Sequence, residues 1–217
     1  MPSERDSARL SIKGLAKFMT SSSLTQRKTL KDFKYPDPEG SAQAIYYREA
    51  RDFIRAFHEG SLPLEYLDQR ATLLLSLAQQ SSKNTANRLR NNARAISAYR
   101  NNFPNTRYSI LPDLRLQFTN SNVRVTAYPD LHVGEVGQEK LLRFEFGSAQ
   151  LNERAIQILA QGMLIGAVEE GIDVNPRCVI VIDVSRGRMY EAGRVRSRLT
   201  RDIEAACQTI ADIWPRL

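Results

Sequence analysis

The sequence predicts an α/β protein: a helical, basic N-terminal region (residues 1–105) precedes a β-β-α-β-β-α core (residues 106–217) built on a central mixed sheet. Three observations carry that expectation. Apolar residues recur at steps of three and four up to about residue 105, then alternate at period two from Val123 to Phe146. A long helical stretch and the continuous apolar run 178–184 follow, the latter typical of a strand covered on both faces. With 25% charged and 42% hydrophobic residues in 217, the composition is that of a globular chain and excludes collagen, low-complexity polymers and wholesale disorder. Two cysteines without paired spacing and two histidines disfavour zinc fingers, iron–sulfur clusters and disulfide scaffolds. The first residues lack an apolar signal core and no apolar run approaches the length of a membrane span, so a cytoplasmic protein with no membrane partner is expected.

In chain order, Leu10, Leu15, Phe18 and Met19 suggest a first short helix, ended by the polar run 20–23. Residues 24–33 form a second, stopped by the Pro- and Gly-bearing breaker 35–40. Ser41 can cap a third helix in which Ile45, Tyr46, Ala50, Phe53, Ile54 and Phe57 keep helical spacing, closing at Gly60. Residues 63–80 give a fourth and 85–100 a fifth, which Phe103-Pro104-Asn105 ends. Val123, Val125, Ala127, Leu131 and Val133 then alternate with polar neighbours as one strand, and Leu142, Phe144 and Phe146 as the next. A helix over 149–170, a strand over 178–184, a short strand over 189–192 and a closing helix over 196–214 complete the plan.

The two alternating strands flank the turn 134–139. A two-residue loop at Gly137-Gln138 sets Val136 against Glu139, Asp130 against Glu145, His132 against Arg143 and Tyr128 against Gly147. Like charges directly opposite on one sheet face repel, and a divalent cation would turn that repulsion into a binding site.

The positive charge is unevenly spread. Residues 1–110 hold 18 Lys and Arg against 10 Asp and Glu, and the remainder 13 against 14. No acid occurs between Asp68 and Asp113, where Lys83, Arg88, Arg90, Arg94, Arg100 and Arg107 alternate with asparagines. Guanidinium and amide donors in that mixture suit the phosphates of a nucleic acid. No phosphate-binding glycine loop, nucleophile elbow or dinucleotide fingerprint is present.

The acids and the order of elements resemble the PD-(D/E)XK nuclease superfamily, the restriction-endonuclease-like fold. Pro129-Asp130 matches its first motif, and Glu145-Phe146-Gly147 matches the second in its acid and spacing. The resemblance covers roughly residues 106–217. It implies that Asp130 and Glu145 hold Mg²⁺ or Mn²⁺ and that the protein cleaves phosphodiester bonds of DNA, in a role such as restriction or phage defence. It also implies a homodimer or a place in a larger complex. One departure matters: the motif lysine falls at Gly147, so Arg143 on the same face, or Arg154 on the next helix, would have to supply the missing cation. In exonuclease-like branches a glutamine of this helix lies near the metal, which brings in Gln157 and Gln161. His132 is a further accessory candidate, as proton carrier or phosphate ligand, and Asp183 is either a third acid or the start of a turn. Without the lysine, the alternative is a catalytically degenerate nuclease-fold protein acting as a nucleic-acid-binding module or complex subunit.

Overall fold

The computed structural model describes residues 5–36, 46–147, 152–195 and 197–217. Its described residues form a mixed α/β structure of seven α-helices and two mixed sheets. The helices are α1 (Ile12–Thr20), α2 (Ser23–Lys34), α3 (Arg48–Glu59), α4 (Leu64–Gln79), α5 (Lys83–Asn102), α6 (Glu153–Glu169) and α7 (Arg198–Ile213). The larger sheet has five strands: β2 (Ser109–Ile110), β5 (Leu131–Glu135), β6 (Gln138–Glu145), β7 (Val179–Asp183) and β8 (Arg188–Glu191), side by side in that order. Only β6 and β7 run parallel, joined through α6 as a crossover between parallel strands requires. The smaller sheet sets β1 (Arg9–Ser11) parallel to β4 (Val123–Thr126), which pairs antiparallel with β3 (Gln117–Asn120). From β5 onward the order is the expected β-β-α-β-β-α.

The local signals explain most boundaries. Ser11 caps α1, its hydroxyl accepting the Gly14 N–H at 3.1 Å, so Leu10 belongs to β1 rather than to the first helix. The third helix is described from Arg48; its expected cap at Ser41 lies outside the described residues. The stretch expected as one strand from Val123 to Val133 is two, β4 and β5, in different sheets. Pro129 lacks a ladder donor, and the chain leaves the small sheet there to enter the large one. Period two runs through both pieces because each buries one face, but in different cores.

The five-stranded sheet separates those cores. Leu131, Val133, Leu142, Phe144, Ile180 and Ile182 pack with α3, α4 and α5 around Phe57, Ile96 and Tyr99. Leu141, Val179 and Val181 face the other way, onto α1, α6, α7 and the small sheet. Both cores therefore draw residues from either side of position 105: α3, α4 and α5 cover one face of the sheet, while α1 and α2 join the core on the other. Close approach of α1 to α6 needs Gly162, where an added Cβ would run into Ile12.

The β5–β6 register differs from the expected one by two residues. Leu131 pairs with Leu142, His132 with Leu141 and Glu135 with Gln138. The loop is Val136-Gly137, with φ +49° and +75°, the double positive φ of a type I′ turn. A two-residue slip keeps every side chain on its face, so hydrophobic patterning does not distinguish the two registers and the turn decides. Asp130 is thus not opposite Glu145, nor His132 opposite Arg143. The Asp130 N–H instead bonds the Leu142 carbonyl at 2.8 Å.

Two expected outcomes follow. Val136 is 98% exposed and buries nothing, yet holds a β-branched side chain in the left-handed region. Val136→Asn should raise stability by about 1 kcal/mol, measured by urea unfolding. His58 is buried; its Nδ1 accepts the Tyr108 N–H at 3.3 Å, which leaves Nε2 to donate to the Tyr99 hydroxyl at 2.7 Å. Burial, then the charge of Arg107, lowers its pKa to about 4. An unfolded histidine takes up its proton near pH 6.5, so the contribution of the neutral ring is full above that pH and is lost as pH falls toward about 4. The loss is on the order of 3 kcal/mol. Unfolding midpoints between pH 7.5 and 4.5 should fall more steeply for wild type than for His58→Gln.

Candidate functional site

The site lies where β5 begins and β6 ends. Asp130 immediately precedes β5 with its carboxylate turned onto the neighbouring strand: Oδ2 accepts the Phe144 N–H at 2.8 Å, one residue short of Glu145, and Oδ1 meets Arg51 Nη1 at 3.0 Å. Glu145 ends β6 with Oε2 on Lys13 Nζ at 2.8 Å and Oε1 at 3.7 Å from Arg143 Nε. Arg143 Nη1 donates to the Tyr128 carbonyl at 3.0 Å, while its buried Nε makes no hydrogen bond among the described residues. The acids are the interior members of these pairs: the Asp130 and Glu145 side chains are 11% and 5% exposed, against 34% for Arg51 and 65% for Lys13. Tyr47 borders the cluster; burial, with neighbouring Tyr46 and Glu145, raises its hydroxyl pKa.

Beside Asp130 opens a cleft of about 460 Å³. Five arginines line it: Arg48, Arg51 and Arg55 of α3, Arg115, and Arg143 of β6. Spacings of three and four put the α3 arginines on one helix face. Asp113 pairs with Arg55 at 2.6 Å, Asp130 takes Arg51, and Asp52 is the third acid, so the lining carries a net charge of two positive. Tyr128, 44% exposed, stands in the same wall.

The other expected site residues take different places. Arg88 pairs with Glu49, Arg100 Nε lies 3.3 Å from Asp68 Oδ1, and Arg107 stacks over the Phe57 ring at 4.5 Å. Lys83, Arg90 and Arg94 remain as an exposed stripe on α5. His132 is a tie between segments, its Nδ1 at 2.9 Å from the Pro112 carbonyl and Nε2 at 3.2 Å from Glu139. Gln161 is fully buried, holding Arg194 O, Thr200 Oγ1 and the Gly193 N–H, and so clamps the segment before α7. Gln157 is exposed, and Arg154 pairs with Asp202 at 2.8 Å, not with either site acid. Asp183, level with Glu145 across β6 and β7, caps its own turn through Ser185 and Arg186. Among the described residues no group of three His, Cys, Asp or Glu side chains could hold a metal ion.

Lys13, the α3 arginines, Arg115 and Tyr128 were not singled out by the sequence. The stripe Arg48, Arg51, Arg55 is visible at helical spacing, but Glu49, Asp52 and Glu59 on the same helix hide it from a search for acid-free basic stretches. Nothing local links Lys13 to Glu145, 132 residues away.

Removing Lys13 leaves a buried carboxylate with one distant cation. Lys13→Met should cost about 1–3 kcal/mol by urea unfolding, and the double variant with Glu145→Gln should lose less than the two single losses combined. Compared with protein-family models, curated proteins and solved structures, the chain matches none.

Proposed function

We propose that the protein is a metal-dependent nuclease acting on DNA at Asp130 and Glu145, with Lys13 supplying the cation that the position of Gly147 lacks. The observation that carries this reading is the Lys13–Glu145 ion pair of 2.8 Å beside a second, half-buried acid and an arginine-lined cleft. The resemblance to the PD-(D/E)XK superfamily supplies the chemistry: one acid at the start of a strand, another on the next, then a helix and a parallel strand.

The residues present fit a hard dication. Mg²⁺ commonly takes only one or two protein carboxylates and fills its other positions with waters and substrate phosphate, so two acids suffice. Their present counterions sit on more exposed side chains, which can turn outward when another cation takes the carboxylates. When bound, Mg²⁺ or Mn²⁺ supplies charge stabilisation for phosphoryl transfer. Asp130 and Glu145 would hold it; Arg143, which lines the cleft with its Nε 3.7 Å from Glu145, would meet the phosphate charge; Lys13 would orient the water near Glu145. Restriction or defence is the biological setting that the resemblance suggests.

A second reading has its own support: each acid already has a basic partner, as in a protein that has kept the fold and the nucleic-acid surface and lost the reaction. One set of assays separates the two. Supercoiled, linear and single-stranded DNA are incubated with the protein and Mn²⁺. Cleavage should disappear in Asp130→Asn and Glu145→Gln and fall by about 10²–10⁴-fold in Lys13→Met. A Cβ added at Gly147 meets no atom of the described residues within 4 Å, so Gly147→Lys in the Lys13→Met background should restore part of the activity. No cleavage by wild type on any substrate rules out the enzyme and leaves the binding module.

A further inference from the structure

We propose that the arginine cleft beside Asp130 is a binding site for an unpaired nucleotide segment, its base stacked on Tyr128 and its phosphates held by Arg48, Arg115 and Arg143. This deepens the nucleic-acid reading above, resting on it for the ligand but not for any cleavage.

Size comes first. A cleft of about 460 Å³ is in the range of small-molecule sites and admits a nucleotide or two, not the body of a duplex. Charge comes second. Of its five guanidinium groups, Arg51 and Arg55 are braced by Asp130 and Asp113, whereas Arg48 and Arg115 are exposed and make no ion pair among the described residues. Arg143 adds an arginine whose buried Nε has no hydrogen bond there. The α3 stripe from Arg48 to Arg55 is about 10 Å long, enough for more than one phosphate. The braced pairs keep the wall in shape before ligand arrives, and the three carboxylates repel an anion that does not reach the unpaired guanidiniums.

The aromatic comes third. Tyr128 is a large, half-exposed ring and the one aromatic among the described residues that line the cleft, directly before Pro129. Arginines interleaved with an exposed ring are the recurring means of holding single strands, where each base offers a face for stacking. A duplex hides those faces. An acidic peptide would use the arginines and ignore the ring.

The test uses the full chain in a chelator, so that cutting plays no part. Fluorescein-labelled hexathymidylate and a twelve-base-pair duplex are titrated by anisotropy, with thymidine dinucleotide and polyglutamate as competitors. The single strand should bind at least tenfold tighter than the duplex. Tyr128→Ala should weaken it about fivefold or more, Tyr128→Phe should retain the wild-type affinity, and Arg90→Ala on α5 should stay within twofold. Arg48→Ala and Arg115→Ala should each flatten the slope of log affinity against log salt by about 0.7. Displacement by the dinucleotide supports a site filled by one or two nucleotide units, free or at a strand end. Equal affinity for the duplex, wild-type affinity in Tyr128→Ala, or displacement by polyglutamate as effective as by dinucleotide overturns the proposal. Because every titration is run in chelator, single-strand binding reads the cleft whether or not the protein cuts, which keeps the two readings apart.

Discussion

Two carboxylates, Glu145 buried and Asp130 largely so, sit at the rim of a sheet whose interior is aliphatic and aromatic, and an uncompensated buried charge costs several kcal/mol. The arrangement around them follows from that constraint. The β-strands cannot supply enough compensation, because alternate positions on β6 are committed to the two cores and only Arg143 is spare. The cations come from helices far away in sequence, Lys13 from α1 and Arg51 from α3. Layers on opposite faces of the large sheet thus each send one cation to the same rim. The acid pair does for the electrostatics what the sheet does for the hydrophobic surface: it gives both halves of the chain a common place to meet.

That meeting explains why the basic half is not a free arm. Its helices α3 to α5 close one apolar face of the sheet, and several of its cations are spent on internal acids: Arg88 on Glu49, Arg100 on Asp68, Arg55 on Asp113. Part of the positive charge left over is displayed as the α5 stripe and part in the cleft, where it is combined with concavity and an exposed aromatic.

How much of this was legible in the sequence depended on whether the signal was local. Helical periodicity and polar breaks located all five N-terminal helices to within a few residues where they are described, and the 178–184 run located the central strand β7. The faces of β5 and β6 were legible too, because alternation survives a two-residue slip; the register was not, because Val136 takes a conformation its side chain disfavours and shifts the turn. The short strands β1, β2 and β3 carry two to four residues each, too few to show a period. At the site, Asp130 and Glu145 stood out as acids on adjacent strands. Lys13 and Arg115 could not, since their roles arise from tertiary contacts across more than a hundred residues or from a loop with no periodicity. The alternating 123–133 stretch misled for a related reason: burial imposes period two on any strand, whichever sheet it joins.

That same stretch has a mechanical meaning. Thr126 ends its course in the small sheet and Leu131 starts its course in the large one, and both border the cleft with Tyr128, Pro129 and Asp130 between them. The segment is a joint, and the angle at which the sheets meet sets how wide the cleft stands. A side chain repacked anywhere in the wedge between the sheets, even one remote from the arginines, would alter the gap into which they project.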